Sequence, residues 1–135
     1  MLHEGEGRMI DEEIKILQEK GHEIGAHSQT HPHLQLCLPW KVHKEVKGSK
    51  KDLEDRGFNI ETFCYPYGRR NWFVDKIVAN SGFLGARLAH GEYNTQQTDR
   101  FHLEAKMLRN FTTFEEVKGW IDSTDNRWLV LVFHQ

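Results

Sequence analysis

Residues 128–133 (WLVLVF) are apolar at six positions in a row, and no other segment restricts the fold as much. A strand with one wet face alternates apolar and polar side chains, whereas a run without a polar position is the pattern of a parallel strand covered on both faces. Parallel strands need crossovers, and the rest of the chain supplies them. Ile10, Ile14 and Leu17 share one helical face behind acidic Asp11, Glu12 and Glu13, and Lys20-Gly21 provides a stop, which predicts a helix over 9–20. Residues 23–26 are too few for a helix and read as a strand running into a polar loop that ends at Pro32. The spacing of Val42, Val46, Ser49 and Leu53 predicts a helix over 39–56, with Lys41, Lys44, Lys47 and Lys51 on a solvated opposite face.

Residues 60–65 (IETFCY) read as a second strand, stopped by Pro66 and Gly68. Asn71 is placed to cap a helix whose Phe73, Val74, Ile77 and Val78 face inward, ending at Gly82. A third strand is predicted over 83–88, then an irregular polar stretch over 90–100 and a further strand over 103–108. Thr112 with Glu115, and Thr113 with Glu116, both fit a capping box ahead of a helix whose buried face is Val117, Trp120 and Ile121. Helices alternating with short apolar strands give an α/β chain with a mainly parallel sheet, open or closed into a barrel. Four or five strands fall short of a closed eight-unit barrel of about 250 residues, so strand structure at the front is expected to be missing.

The 135 residues leave room for a single domain, 1–135. No stretch reaches the roughly 18–20 apolar residues of a membrane span, and Met1 to Ile10 carries no signal-peptide core. With 18 basic against 20 acidic side chains and a net charge of −2, nothing favours a polyanion, and no nucleic-acid partner is expected. Cys37 and Cys64 form no C-x-x-C and are expected to be free and buried. Nine histidines are the compositional oddity, and imidazole is the commonest metal ligand.

In parallel β/α folds, ligands and catalytic groups gather beyond the carboxyl ends of the strands. Three polar clusters fall there: His27-Ser28-Gln29-Thr30-His31, Tyr65-Pro66-Tyr67-Gly68, and His134. His27 and His31 are four apart, and in a helical turn that spacing would put both imidazoles on one side, able to share a divalent ion at about 2.0–2.1 Å each. The alternative is a histidine-rich loop without an ion. His22-Glu23 through His27 is H-E-x-x-x-H, one residue too long for a zincin, and Gly25 weakens a helix there. His33 is a candidate substitute ligand, but its phase behind Pro32 favours a solvent-facing role.

Here the residues become recognisable. The segment 21–32 (GHEIGAHSQTHP) resembles the H-[ST]-x-x-H region of the NodB-like polysaccharide deacetylases, carbohydrate esterase family 4. Tyr65-Pro66-Tyr67-Gly68-Arg69 resembles the P-Y-G motif of that family, and residues 129–134 (LVLVFH) look like its last motif, an apolar strand ending in histidine. The three occur in the family's order. The resemblance implies an incomplete (β/α) barrel of the polysaccharide deacetylase type, mainly parallel strands with flanking helices. It implies a hydrolase that binds Zn2+ or another divalent ion and removes N-acetyl groups from chitin, peptidoglycan or exopolysaccharide. By that resemblance His27 and His31 are metal ligands, the backbone N–H of Tyr67 is an oxyanion donor, and His134 protonates the departing amine, with Val132 lining an acetyl-methyl pocket.

The family's aspartate pair (T-F-D-D) has no counterpart in this sequence. One of those aspartates is the general base and the other the third metal ligand, so little or no deacetylase activity is expected from a chain that is N-terminally truncated relative to the family. Cys64-Tyr65 stands where many members carry arginine ahead of P-P-Y-G. Asp122, Asp125 and Trp128 only echo the composition of the D-x-x-D-W motif, and Asp99 is a carboxylate in the irregular segment that could approach the ion, with nothing in its spacing to support more. Open edges beside residues 23–26 and 128–133 predict self-association, a homodimer filling the gap. The alternative function is a non-catalytic remnant of the same fold that binds carbohydrate or a protein.

Overall fold

The computed structural model describes residues 9–134, in the order α1 (Asp11–Glu19), β1 (Ile24–Ala26), α2 (Pro39–Asp55), β2 (Ile60–Cys64), α3 (Trp72–Ala79), β3 (Gly85–Arg87), β4 (Lys106–Met107), α4 (Phe114–Asp122) and β5 (Leu131–Val132). Single 3-10 turns at Leu34–Leu36 and Pro66–Gly68 interrupt the connections. Strands β1, β2 and β3 pair in parallel in that order, and β4 pairs in parallel with β5. The two ladders are linked. Leu103 bridges in parallel to Arg87, and the Leu88 N–H donates to the Leu103 carbonyl at 2.8 Å. The strands therefore follow one another in an arc from β1 to β5, open rather than closed, as expected for an incomplete barrel.

Helix α2 begins with Pro39 at its first turn, where the missing N–H costs nothing. It buries Val42, Val46 and Ser49 as predicted, and packs on β1, β2 and α3. Asn71 caps α3, its Oδ1 accepting from the Val74 N–H at 2.9 Å. Val74, Ile77 and Val78 join Val42, Val46, Ile60, Phe63 and Tyr65 in the core. Phe63 touches Tyr65 and Phe83 with ring centroids 5.6 and 5.3 Å apart. Strand β2 carries one residue more than β1: Ile24 aligns with Ile60 but Ala26 with Phe63. That bulge lets Ile60 and Phe63, three apart, both reach the core.

The structure corrects the sequence reading in several places. The six-residue apolar run yields only a two-residue strand, Leu131–Val132, in which Val132 alone is buried. Trp128 and Phe133 are 56% and 76% exposed. The covered-on-both-faces reading fails because one side of this arc looks onto an open cleft. Helix α4 also buries nothing. Its Val117 and Trp120 are half-buried and Ile121 is exposed, although Thr113 and Glu116 do form the expected capping box. Cys37 and Cys64 are free, as expected, but half-buried rather than buried. The polar stretch 90–100 is pinned by one buried side chain. Asn94 exchanges backbone bonds with Trp128 at 2.8 Å each, its Nδ2 donates to the Glu104 carbonyl, and its Oδ1 accepts from the Glu104 N–H. No helix among the described residues is long and apolar enough to cross a membrane.

Candidate active site

The loop after β1 brings His27 and His31 together, though not by the helical turn the spacing suggested. Ser28 and His31 take left-handed conformations, φ 64° and 56°. The chain turns back on itself and leaves the two Nε2 atoms 3.0 Å apart. Three tethers hold this loop. The Ser28 hydroxyl accepts from the His31 N–H at 3.0 Å. The buried carboxylate of Glu45, on α2, accepts from the N–H groups of Gln29 and Thr30 at 3.0 and 2.8 Å and from the Thr30 hydroxyl at 2.6 Å. His27 Nδ1 lies 2.7 Å from the Cys64 carbonyl at the end of β2. A carbonyl can only accept, so Nδ1 carries the proton there and the Nε2 lone pair points toward His31.

That arrangement passes a test of donor chemistry. Two imidazole nitrogens converge, and one ring has its outer nitrogen anchored to a backbone carbonyl, the usual support for a metal-ligating histidine. The pair could fill two positions around a divalent ion. No group of three histidine, cysteine or acidic side chains suited to a metal occurs among the described residues. Partial shielding from water holds the exposed His27 below the ordinary imidazole pKa; the Cys64 carbonyl acts against this, and the charges of His31, Arg87 and His134 add to it. The neutral, ligating form of His27 is therefore favoured.

Tyr67 reaches the same place from the turn after β2. Its φ of 58° is uncommon for a residue with a side chain, and the neighbouring Gly68 sits at φ +63° with the Ala89 backbone where a Cβ would be. The Tyr67 ring meets His31 edge-on with centroids 4.5 Å apart and stacks on His33 at 3.9 Å. His33 is thus exposed, as read from the sequence, but it also serves as a platform for Tyr67. The far flank of this turn is fastened to α3 by the Arg70–Asp75 pair; on the near flank, burial pushes the Tyr65 phenol far above its ordinary range, with the Asp75 charge adding to the effect. His102 Nε2 lies 3.2 Å from Asp75 and His102 Nδ1 3.5 Å from Asp99, so Asp99 faces this polar group rather than the histidine pair.

His134 follows β5, exposed, beside Leu108, Arg109, Asn110 and Phe133. No hydrogen bond joins it to His27. A cleft of about 500 Å³ runs along the inside of the arc, from Glu23 and Thr62 to His27, Cys64 and Arg87, with Trp128 and Val130 on its far side. Sequence reasoning missed Glu45 and Arg87. Glu45 had a signal, a carboxylate on the apolar face of an amphipathic helix; Arg87 had none beyond its place at a strand end.

The sequence profile of the polysaccharide deacetylase family matches residues 4–86, the part that holds His27, His31 and the P-Y-G turn. The chain belongs to the polysaccharide deacetylase family. Its fold is similar to that of the deacetylase PplD of Streptococcus pyogenes, solved in complex with acetate: TM-score 0.76, 19% identity, covering 86% of this chain and 52% of that one. It is also similar to BC0361, a polysaccharide deacetylase from Bacillus cereus (TM-score 0.75, 23% identity, 87% and 38% covered). A family 4 carbohydrate esterase from Streptomyces lividans, in complex with acetate, gives a TM-score of 0.66 at 16% identity, with 91% and 57% covered. The chain spans between about a third and three-fifths of the length of these structures. No curated protein matches it. The expected homodimer finds no support in the fold or in these relatives.

Proposed function

We propose that this chain is the histidine-bearing part of a hydrolase that removes N-acetyl groups from amino-sugar polysaccharides, the chemistry its family and the P-Y-G turn suggest. The observation that carries the reading is the 3.0 Å approach of His27 and His31 Nε2 at the carboxyl end of β1. His27 and His31 would hold a divalent metal, Zn2+ or a similar ion, which when bound supplies a Lewis acid for the amide carbonyl. The Cys64 carbonyl fixes the tautomer and direction of His27. The Tyr67 backbone N–H is assigned to the developing oxyanion, and the left-handed turn with its ring stacking sets its position before substrate arrives. His134 is assigned the proton for the departing amine, because an amine expelled as its anion is a very poor leaving group. Val132, buried beside it, would line the methyl of the acetyl group.

A second reading, binding of carbohydrate or protein without turnover, is favoured by one fact: the described residues offer no third metal ligand next to the pair. One experiment separates the two. Zinc is titrated calorimetrically into the protein and into His27→Ala and His31→Ala, and hydrolysis of an N-acetylglucosamine oligomer is followed with metal present. The deacetylase reading expects one zinc per chain, lost in both variants, with acetate released at a slow rate, since a positioned general base is worth about 10²–10⁴. Oligomer binding with no acetate released selects the second reading. Zinc binding unchanged in both variants removes the site altogether.

A further inference from the structure

Arg87 ends β3 and lines the same cleft as His27. It is the register partner of Cys64 across the β2–β3 ladder, and the Cys64 carbonyl is the anchor of His27. Residues 27, 64 and 87 therefore stand side by side at the carboxyl ends of three adjacent strands. A guanidinium offers five N–H donors. Here the Leu88 carbonyl, 3.2 Å from one terminal nitrogen, is its hydrogen-bond acceptor, and no carboxylate lies within ion-pair distance among the described residues. The contrast with the other arginines is informative. Arg56, Arg70 and Arg127 each face an aspartate, and Arg69, Arg100 and Arg109, which do not, are exposed. Arg87 alone among the described arginines is half-buried without a counter-charge. A charge partly withdrawn from water and left unpaired is unfavourable, and a planar fork of donors fits a carboxylate better than any other common anion except phosphate.

We propose that Arg87 is a carboxylate-binding residue of the cleft, holding a carboxylate ligand beside the histidine pair. The group could arrive as free acetate or on an acidic sugar; the recognition chemistry is the same. The inference rests on the deacetylase reading only in making acetate, the product of that reaction, one of the sources. The test is run with metal withheld, so that it fails or succeeds independently of zinc binding.

The ¹⁵N-labelled protein in a chelator is titrated with acetate while the arginine Nε–H signals are followed; the Arg87 signal is assigned by its loss in Arg87→Lys. Expected is a saturable shift of that signal with acetate and none with neutral N-methylacetamide. Affinity, read from backbone amides lining the cleft, should fall about tenfold in Arg87→Lys, which keeps the charge and loses the fork, and vanish in Arg87→Met. If Arg87→Met does not fold, the Lys variant carries the comparison. Glucuronate binding where glucose does not assigns a sugar-borne carboxylate, and binding of acetate alone assigns a small acid; either upholds the proposal. No saturable shift with either acid, an equal response to the neutral amide, or an unchanged affinity in Arg87→Lys overturns it.

Discussion

Glu45 is an acidic residue on the inward face of a helix, and it earns that burial with three short bonds to the loop between His27 and His31. Bonds to a charged acceptor are worth about 1.5–3 kcal/mol each, and truncation leaves donors unpaired. Glu45→Ala should therefore destabilise the protein by about 3 kcal/mol, measured by urea denaturation, and should weaken the zinc binding proposed for His27 and His31, which it never touches. Glu45→Gln, which keeps an acceptor oxygen but not the charge, should lose less on both counts. The histidine pair itself was legible in the sequence because a four-residue spacing brings side chains together in more than one backbone geometry. The geometry was not legible. Left-handed Ser28 has nothing in its type to announce the turn, and left-handed His31 only the modest enrichment of histidine in that region. Tyr67 shows the same limit: the motif pointed to the residue, while its stack on His33 is a tertiary contact between segments more than thirty positions apart.

At the level of elements, local chemistry was a good guide wherever an element caps itself. Asn71 and Thr113 start α3 and α4 where their side chains predicted. Asn71 also donates to the Gln35 carbonyl at 3.3 Å, joining the helix start to the turn before α2. Asn71→Ala should cost about 1 kcal/mol, seen as a lower midpoint in thermal or urea unfolding, and Asn71→Ser or Asp should restore most of it. Hydrophobic patterning served less well, because it reports that a segment seeks cover without naming what covers it. Residues 128–133 have the composition of a strand sealed on both sides, yet only Val132 is enclosed. Strand lengths suffered for the same reason: β3, β4 and β5 keep ladder pairing for only two or three residues, and backbone bonds outside regular strands, such as Ala86 N–H to the Arg100 carbonyl at 2.8 Å, complete the arc.

For the whole molecule, the core is lopsided. Nearly all of the enclosed side chains lie between the β1–β3 sheet and helices α2 and α3, and the β4–β5 side contributes little beyond Ala105 and Val132. Global stability should accordingly follow events in the first body of packing, and one of them depends on pH. The Tyr65 phenol is held far above its unfolded value of 10.0, chiefly by burial. Above that pH the unfolded chain releases a proton that the folded one keeps, so unfolding is favoured progressively as the solution becomes more alkaline. Urea midpoints compared at pH 9 and pH 11 should fall for the native protein and fall less for Tyr65→Phe, once the general loss from lysine titration is taken from both.

The bulge in β2 has a consequence of its own. Because Ile60 and Phe63 sit an odd number of steps apart and yet share the core, the extra residue inverts inside and outside for everything after it in that strand. The Cys64 carbonyl that holds His27 lies one residue beyond the bulge. Loss of a single residue between positions 60 and 63 would swing a buried aromatic ring outward and withdraw the histidine's anchor in one stroke, so this short strand should bear a deletion worse than a conservative substitution.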